Sequence, residues 1–142
     1  MKAAINFISI AVTDLERSVA FYRDGLGWKT DGIIGGEFSD NEEGIDYRVA
    51  MFDVGNGLMF CLWTRLNLAK DARVEPGTPG GAAFSLGIPA ESEAEVDALL
   101  AEAAKAGAAV TAPAKMAPFG VYSGYFADPD GNLWEVAWNP HR

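Results

Sequence analysis

Histidine and cysteine are nearly absent from this sequence, with one of each, His141 and Cys61, in 142 residues. A lone cysteine cannot close an internal disulfide. Cys61 also sits in the apolar run Leu58-Met-Phe-Cys-Leu-Trp63, which predicts a buried, inert thiol. No stretch approaches the roughly 20 apolar residues of a membrane span. The first residues lack the basic start, apolar segment and cleavage site of a secretory signal, so the expected compartment is the cytoplasm. Cations are also scarce: 11 Lys and Arg against 20 Asp and Glu leave a formal charge of −9. Such a surface repels phosphate backbones and anionic lipid, which argues against nucleic acid and membranes as partners. It favours solubility, and it attracts cations.

The hydrophobic fraction of 49% and charged fraction of 22% are those of a globular protein with a core. Ile5 to Val12 reads as a strand with Ile8, Ile10 and Val12 on one face. Thr13-Asp-Leu-Glu16 fits a capping box, and Leu15, Val19, Tyr22 and Leu26 follow at helical spacing, with Gly25 and Gly27 as the stop. Strands are predicted around Trp28–Ile34, Asp46–Val54 and Leu58–Trp63, the last two joined by Gly55-Asn-Gly57. The same order then recurs. Ala82–Ile88 is a strand, Ser92-Glu-Ala-Glu95 a second capping box, and Val96, Leu99, Leu100 and Ala103 the apolar stripe of a helix ended by Gly107. Three further strands follow at Ala108–Ala112, Tyr122–Ala127 and Leu133–Trp138.

The capping boxes open at Thr13 and Ser92, and aspartates open the turns at Asp53 and Asp128. These near-equal offsets predict an α+β fold of two βαβββ modules, about 1–64 and 82–142, with 65–81 as linker. One helix covers only one face of its module's sheet. Two such curved sheets side by side would make a concave trough suited to a ligand.

Asn6-Phe-Ile-Ser-Ile-Ala-Val-Thr-Asp-Leu-Glu-Arg-Ser-Val-Ala-Phe-Tyr22 resembles the opening strand and helix of the vicinal oxygen chelate superfamily, the glyoxalase/bleomycin-resistance/extradiol dioxygenase proteins. Tyr122-Ser-Gly-Tyr-Phe-Ala-Asp-Pro-Asp-Gly-Asn-Leu-Trp-Glu-Val-Ala-Trp-Asn-Pro140 resembles its closing hairpin. The resemblance implies the duplicated fold, a homodimer, and a ligand site in the sheet trough. It does not settle function, because members include lyases, dioxygenases, epimerases, thiol transferases and metal-free proteins that sequester antibiotics.

In metal-dependent members, His and Glu project from the first and last strands of each module. The last-strand carboxylate corresponds to Glu135, seven residues after Asp128. Seven after Asp53 is Phe60, and seven before Asp14, where the histidine would stand, is Phe7. Gly80 to Pro89 holds no His, Asp, Glu or Cys. The resemblance therefore implies no metal and no other cofactor. Alternation places Phe7, Ser9 and Ala11 towards the trough with Leu58, Phe60 and Leu62, and Leu133, Glu135 and Ala137 together on one face of the last strand. Phe7, Ser9, Phe60, Leu62 and Glu135 are the candidate ligand contacts, and Glu135 is the candidate general base. Tyr47, Arg48, Tyr122 and Tyr125 lie on strands whose facing the pattern leaves open.

The expected function is metal-independent binding of a small aromatic or cationic molecule. The alternative is a lyase or isomerase resembling lactoylglutathione lyase. A third class is an interaction module whose dimer surface is the functional element.

Overall fold

The computed structural model of the chain describes residues 1–141. Strand β1 (Phe7–Val12) leads into helix α1 (Leu15–Val19), which continues as a π-helix over Ala20–Gly25. The helix is capped by Asp14, whose carboxylate accepts from the Arg17 amide at 3.0 Å, one residue after the Thr13 that the sequence pattern put at the start of the cap. Strands β2 (Thr30–Ile34), β3 (Val49–Asp53) and β4 (Met59–Thr64) follow. The β3–β4 turn needs backbone that side chains resist: Gly55, Asn56 and Gly57 have φ of 91°, 55° and 75°.

The expected linker is in part a helix, α2 (Arg65–Ala72). Thr64 caps it by accepting from the Asn67 amide, and Arg73 ends it at φ 57°. Good helix formers follow the threonine, and the Pro and Gly that break structure arrive only from Pro76 onward. In the second half, β5 (Ser85–Pro89) and α3 (Glu93–Lys105) precede β6 (Ala109–Met116), β7 (Tyr122–Ala127) and β8 (Leu133–Trp138). Ser92 accepts from the Glu95 amide, and the Glu95 carboxylate accepts from the Glu91 amide.

The chain divides into two compact units after Pro79. Each has one four-stranded mixed sheet, ordered β1-β4-β3-β2 in the first and β5-β8-β7-β6 in the second. In each, the first strand pairs in parallel with the fourth and the remaining neighbours are antiparallel. The fold is α+β with a duplicated βαβββ plan, as expected.

The register fixes which residues are counterparts. Phe7 pairs with Met59 as Ser85 pairs with Leu133. The Val54 amide donates to the Leu58 carbonyl as the Asp128 amide donates to that of Asn132. The counterpart of Asp128 is thus Val54, not Asp53, and the counterpart of Glu135 is Cys61, not Phe60.

In the first unit, Ile10, Val12, Ala50, Phe52, Phe60 and Leu62 are buried on one sheet face. Tyr22 of the π-helical turn packs edge-on against Phe60, ring centroids 5.0 Å apart. In the second unit, Phe126 stacks on Trp134 at 6.2 Å, and Val96, Leu100 and Ala103 of α3 are buried with them.

Strand β3 begins three residues later than expected because Asp46 is occupied elsewhere. Its carboxylate accepts from Ser39 Oγ at 3.0 Å, from the Arg48 amide at 3.0 Å and from Arg48 Nη2 at 2.8 Å. Bonds from the Arg48 side chain, then from its amide, hold the Asp46 carboxyl down to about 2. A carboxylate whose pKa falls on folding stabilises the native state above its unfolded pKa, near 4, and stops doing so as pH drops through about 2. Arg48 is 46% exposed, so solvent screens the pair. Asp46→Asn is expected to lower stability by about 1 kcal/mol at pH 7. Urea melts of variant and wild type should then converge as pH approaches 2, and a pH-independent difference would contradict the assignment.

Candidate functional site

Along β8 the side chains alternate. Trp134 and Val136 are buried, and Leu133, Glu135 and Ala137 lie on the opposite face. The same alternation turns Gly124 and Phe126 of β7 toward α3, where a Cβ on Gly124 would come within 2.6 Å of Leu100, and turns Tyr125 away. Register then sets one row across the sheet: Gly87, Glu135, Tyr125 and Ala112. Glu135 and Tyr125 face each other between a residue with no side chain and one with only a methyl group. This leaves the pair half-buried, with open space on either side.

Tyr125 stands directly opposite Glu135 on the neighbouring strand, close enough for the carboxylate charge to act on its phenol. Burial, followed by the negative charge of Glu135, pushes the phenol upward, so Tyr125 remains a protonated donor at neutral pH. Among the described residues Glu135 has no ion-pair partner. A cavity of ≈ 780 Å³ opens beside it, lined also by Gly87, Glu91, Ala137, Trp138 and Asn139. Among the described residues its lining has two carboxylates, Glu91 and Glu135, and no Lys, Arg or His. A second cavity of ≈ 450 Å³ is lined by Phe84, Ser85, Ala112, Tyr125 and Leu133, and among the described residues its lining has no charged one.

The other candidate residues are placed differently. Phe60 and Leu62 are 2% and 0% exposed and share the helix-covered face with Ile8 and Ile10, so the trough position expected for them is corrected. Counting from Asp53, when the turn begins at Val54, shifted the strand by one residue, and one residue reverses every facing. Met59, Cys61 and Trp63, expected against the helices, share the opposite face with Phe7, Ser9 and Ala11, although Cys61 is buried as its apolar run predicted. Phe7 is 65% exposed. Ser9 pairs with Cys61. Burial raises the thiol's pKa against the weaker opposing effect of Ser9, so Cys61 is a poor nucleophile.

Of the residues whose facing was open, Tyr122 donates to Asp97 of α3 at 2.8 Å. Tyr47 contacts Asp71 and the edge of Trp63, and Arg48 reaches Asp46 and Glu16. Only Tyr125 joins Glu135. The sequence carried the signal, since Tyr125 has the same parity as Glu135 once the hairpin is registered through its turn.

The positions that register assigns to the first and last strands of the two units hold Phe7, Cys61, Ser85 and Glu135. A phenyl ring offers no donor, and among the described residues no group of three or more His, Cys, Asp or Glu could hold a metal ion. This donor set does not fit a divalent metal. Among the described residues no helix is long and apolar enough to cross a membrane.

The sequence profile of the Glyoxalase/Bleomycin resistance protein/Dioxygenase superfamily matches residues 4–136. A glyoxalase-related enzyme from Fulvimarina pelagi is similar at 31% identity and a TM-score of 0.80, over 98% of this chain and 90% of that one. A glyoxalase/bleomycin resistance protein/dioxygenase from Nocardioides shares the fold at 23% identity and a TM-score of 0.75, over 97% and 84% of the two chains. Lactoylglutathione lyase from Agrobacterium tumefaciens does so at 24% identity and a TM-score of 0.64, over 97% and 95%. Among curated proteins, none matches significantly.

Proposed function

This chain belongs to the glyoxalase/bleomycin resistance protein/dioxygenase superfamily, and from that premise we propose that it binds a small organic cation without a metal, on the face of its second sheet turned away from α3. The observation that supports this is the Glu135 carboxylate. It is half-buried and open to a cavity, and among the described residues it has no ion-pair partner and that cavity has no cation in its lining. A partly desolvated anion next to a vacant volume gains from an incoming cation, because the charge-assisted hydrogen bond they form is about twice as strong as a neutral one.

The rival reading, a lyase or isomerase resembling lactoylglutathione lyase, would use Glu135 as the base and Tyr125 as a proton donor. It lacks an electrophile for the enediolate, a contribution of several kcal/mol that a metal supplies in such chemistry. Phe7 and Ser85 do not replace it.

Benzamidinium and its neutral isostere benzamide separate charge from shape. Glu135→Gln should weaken benzamidinium about tenfold, equivalent to ~1.4 kcal/mol, and change benzamide much less. Titration calorimetry with and without EDTA reads both points. An unchanged benzamidinium affinity in the variant would remove Glu135 from the site, and loss of binding in EDTA would refute metal independence.

A further inference from the structure

The two cavities on this face are separated in their linings yet joined by one pair of side chains. Tyr125 lines the apolar cavity, and it stands directly opposite Glu135, the carboxylate that lines the acidic one. Strand β8 runs from one into the other: Leu133 lines the first, Glu135 and Ala137 the second, all on one face. Strand β5 does the same, with Ser85 in the first and Gly87 in the second. Gly87 and Ala112 flank the central pair, so in that row no side chain larger than a methyl group stands beside it. Phe84, 53% exposed, leaves a large apolar surface open at the charge-free end. Two residues of strand, about 7 Å, separate Leu133 from Glu135.

We propose that the two cavities form a single site for an amphiphilic organic cation, its charged head at Glu135 and its ring-sized apolar group against Phe84, Tyr125 and Leu133. The head and the group are about 7 Å apart, the reach of a spacer of two to four methylenes. Water in the apolar cavity contacts a lining that offers it few partners, so its displacement by a phenyl group favours binding. The acidic end gives charge selectivity and the apolar end most of the affinity. This rests on the reading that Glu135 anchors a cation, and it adds what the rest of the ligand must be.

The test uses the full chain and named probes: ethylammonium, benzylammonium, 2-phenylethylammonium and 4-phenylbutylammonium, followed by titration calorimetry and by tryptophan fluorescence, since Trp138 lines the acidic cavity. The phenylethyl and phenylbutyl cations should bind at least about tenfold more tightly than ethylammonium, with benzylammonium between them. Ala112→Leu, which fills the apolar cavity, should reduce the phenyl-bearing cations to the affinity of ethylammonium. Ser85→Phe, on the exposed edge strand, provides the same block if Ala112→Leu does not fold. Equal affinity for all four cations, or phenyl-bearing cations indifferent to both blocking variants, would overturn the two-ended site while leaving the Glu135 anchor standing. Failure of every cation to bind would overturn the anchor and with it this inference.

Discussion

Phe60→Ala should destabilise the protein by about 3–5 kcal/mol, the cost of removing a buried aromatic ring together with the cavity it leaves. Phe60 is 2% exposed and makes ring contacts with Tyr22 at 5.0 Å, Trp28 at 5.8 Å and Phe52 at 6.1 Å. These four side chains come from the first helical segment, the turn after it and two strands, so no single element can shift to close the gap. Urea denaturation measures the loss. A ring on the open face of the sheet would cost within about 0.5 kcal/mol to truncate, so a loss that small would restore the facing read from the sequence.

Gly124→Ala should cost about 2–3 kcal/mol, the upper part of the usual range for overpacking. A methyl group there would meet Leu100 Cδ1 at 2.6 Å, the Ala112 carbonyl oxygen at 2.9 Å and the Ala114 amide nitrogen at 2.9 Å. Leu100 can rotate away, but the two backbone atoms belong to β6 and cannot move without loosening its pairing with β7. Gly87 is the control, since a Cβ there meets nothing within 4 Å. Gly87→Ala should therefore stay within about 0.5 kcal/mol of wild type, or gain slightly from a less flexible unfolded chain. Similar melting curves for the two variants would show that β7 does not lie against β6 and α3 as closely as described.

Most of this architecture could be read from spacing. The second cap at Ser92, the stop at Gly107 and the turn after Asp128 each act through local chemistry, and the structure retains all three. The duplication was visible because those signals recur. The facing of β4 was not. It depends on whether the turn opens at Asp53 or Val54, a difference of one hydrogen bond that no side chain announces. Helix α2 was obscured because Pro76-Gly-Thr-Pro-Gly-Gly81 sets the character of the whole inter-strand stretch and its first eight residues are easily assigned to it. At the site, Glu135 stood out through the family resemblance, which places a carboxylate seven residues after the aspartate that opens the turn. The partnership of Tyr125 with it depends on cross-strand register, and a single strand does not contain that information.

The parallel pairing within each unit also governs how the chain can assemble as it is made. Phe7 finds its partner at Met59, 52 positions later, and Ser85 finds Leu133 after 48. The β3–β4 and β7–β8 hairpins close over turns of five residues and can form within microseconds, while β1 and β5 wait, unpaired, for the last strand of their unit to be synthesised. At ribosomal rates of about 5–20 residues per second that wait lasts seconds. During it, the apolar face of β1 needs another cover, and the helix that follows immediately in sequence can offer one. Each sheet is complete once its own fourth strand has emerged, so the sheet of the first unit can close before that of the second. Protease-resistant structure should therefore first appear once Thr64 has cleared the ribosomal exit tunnel.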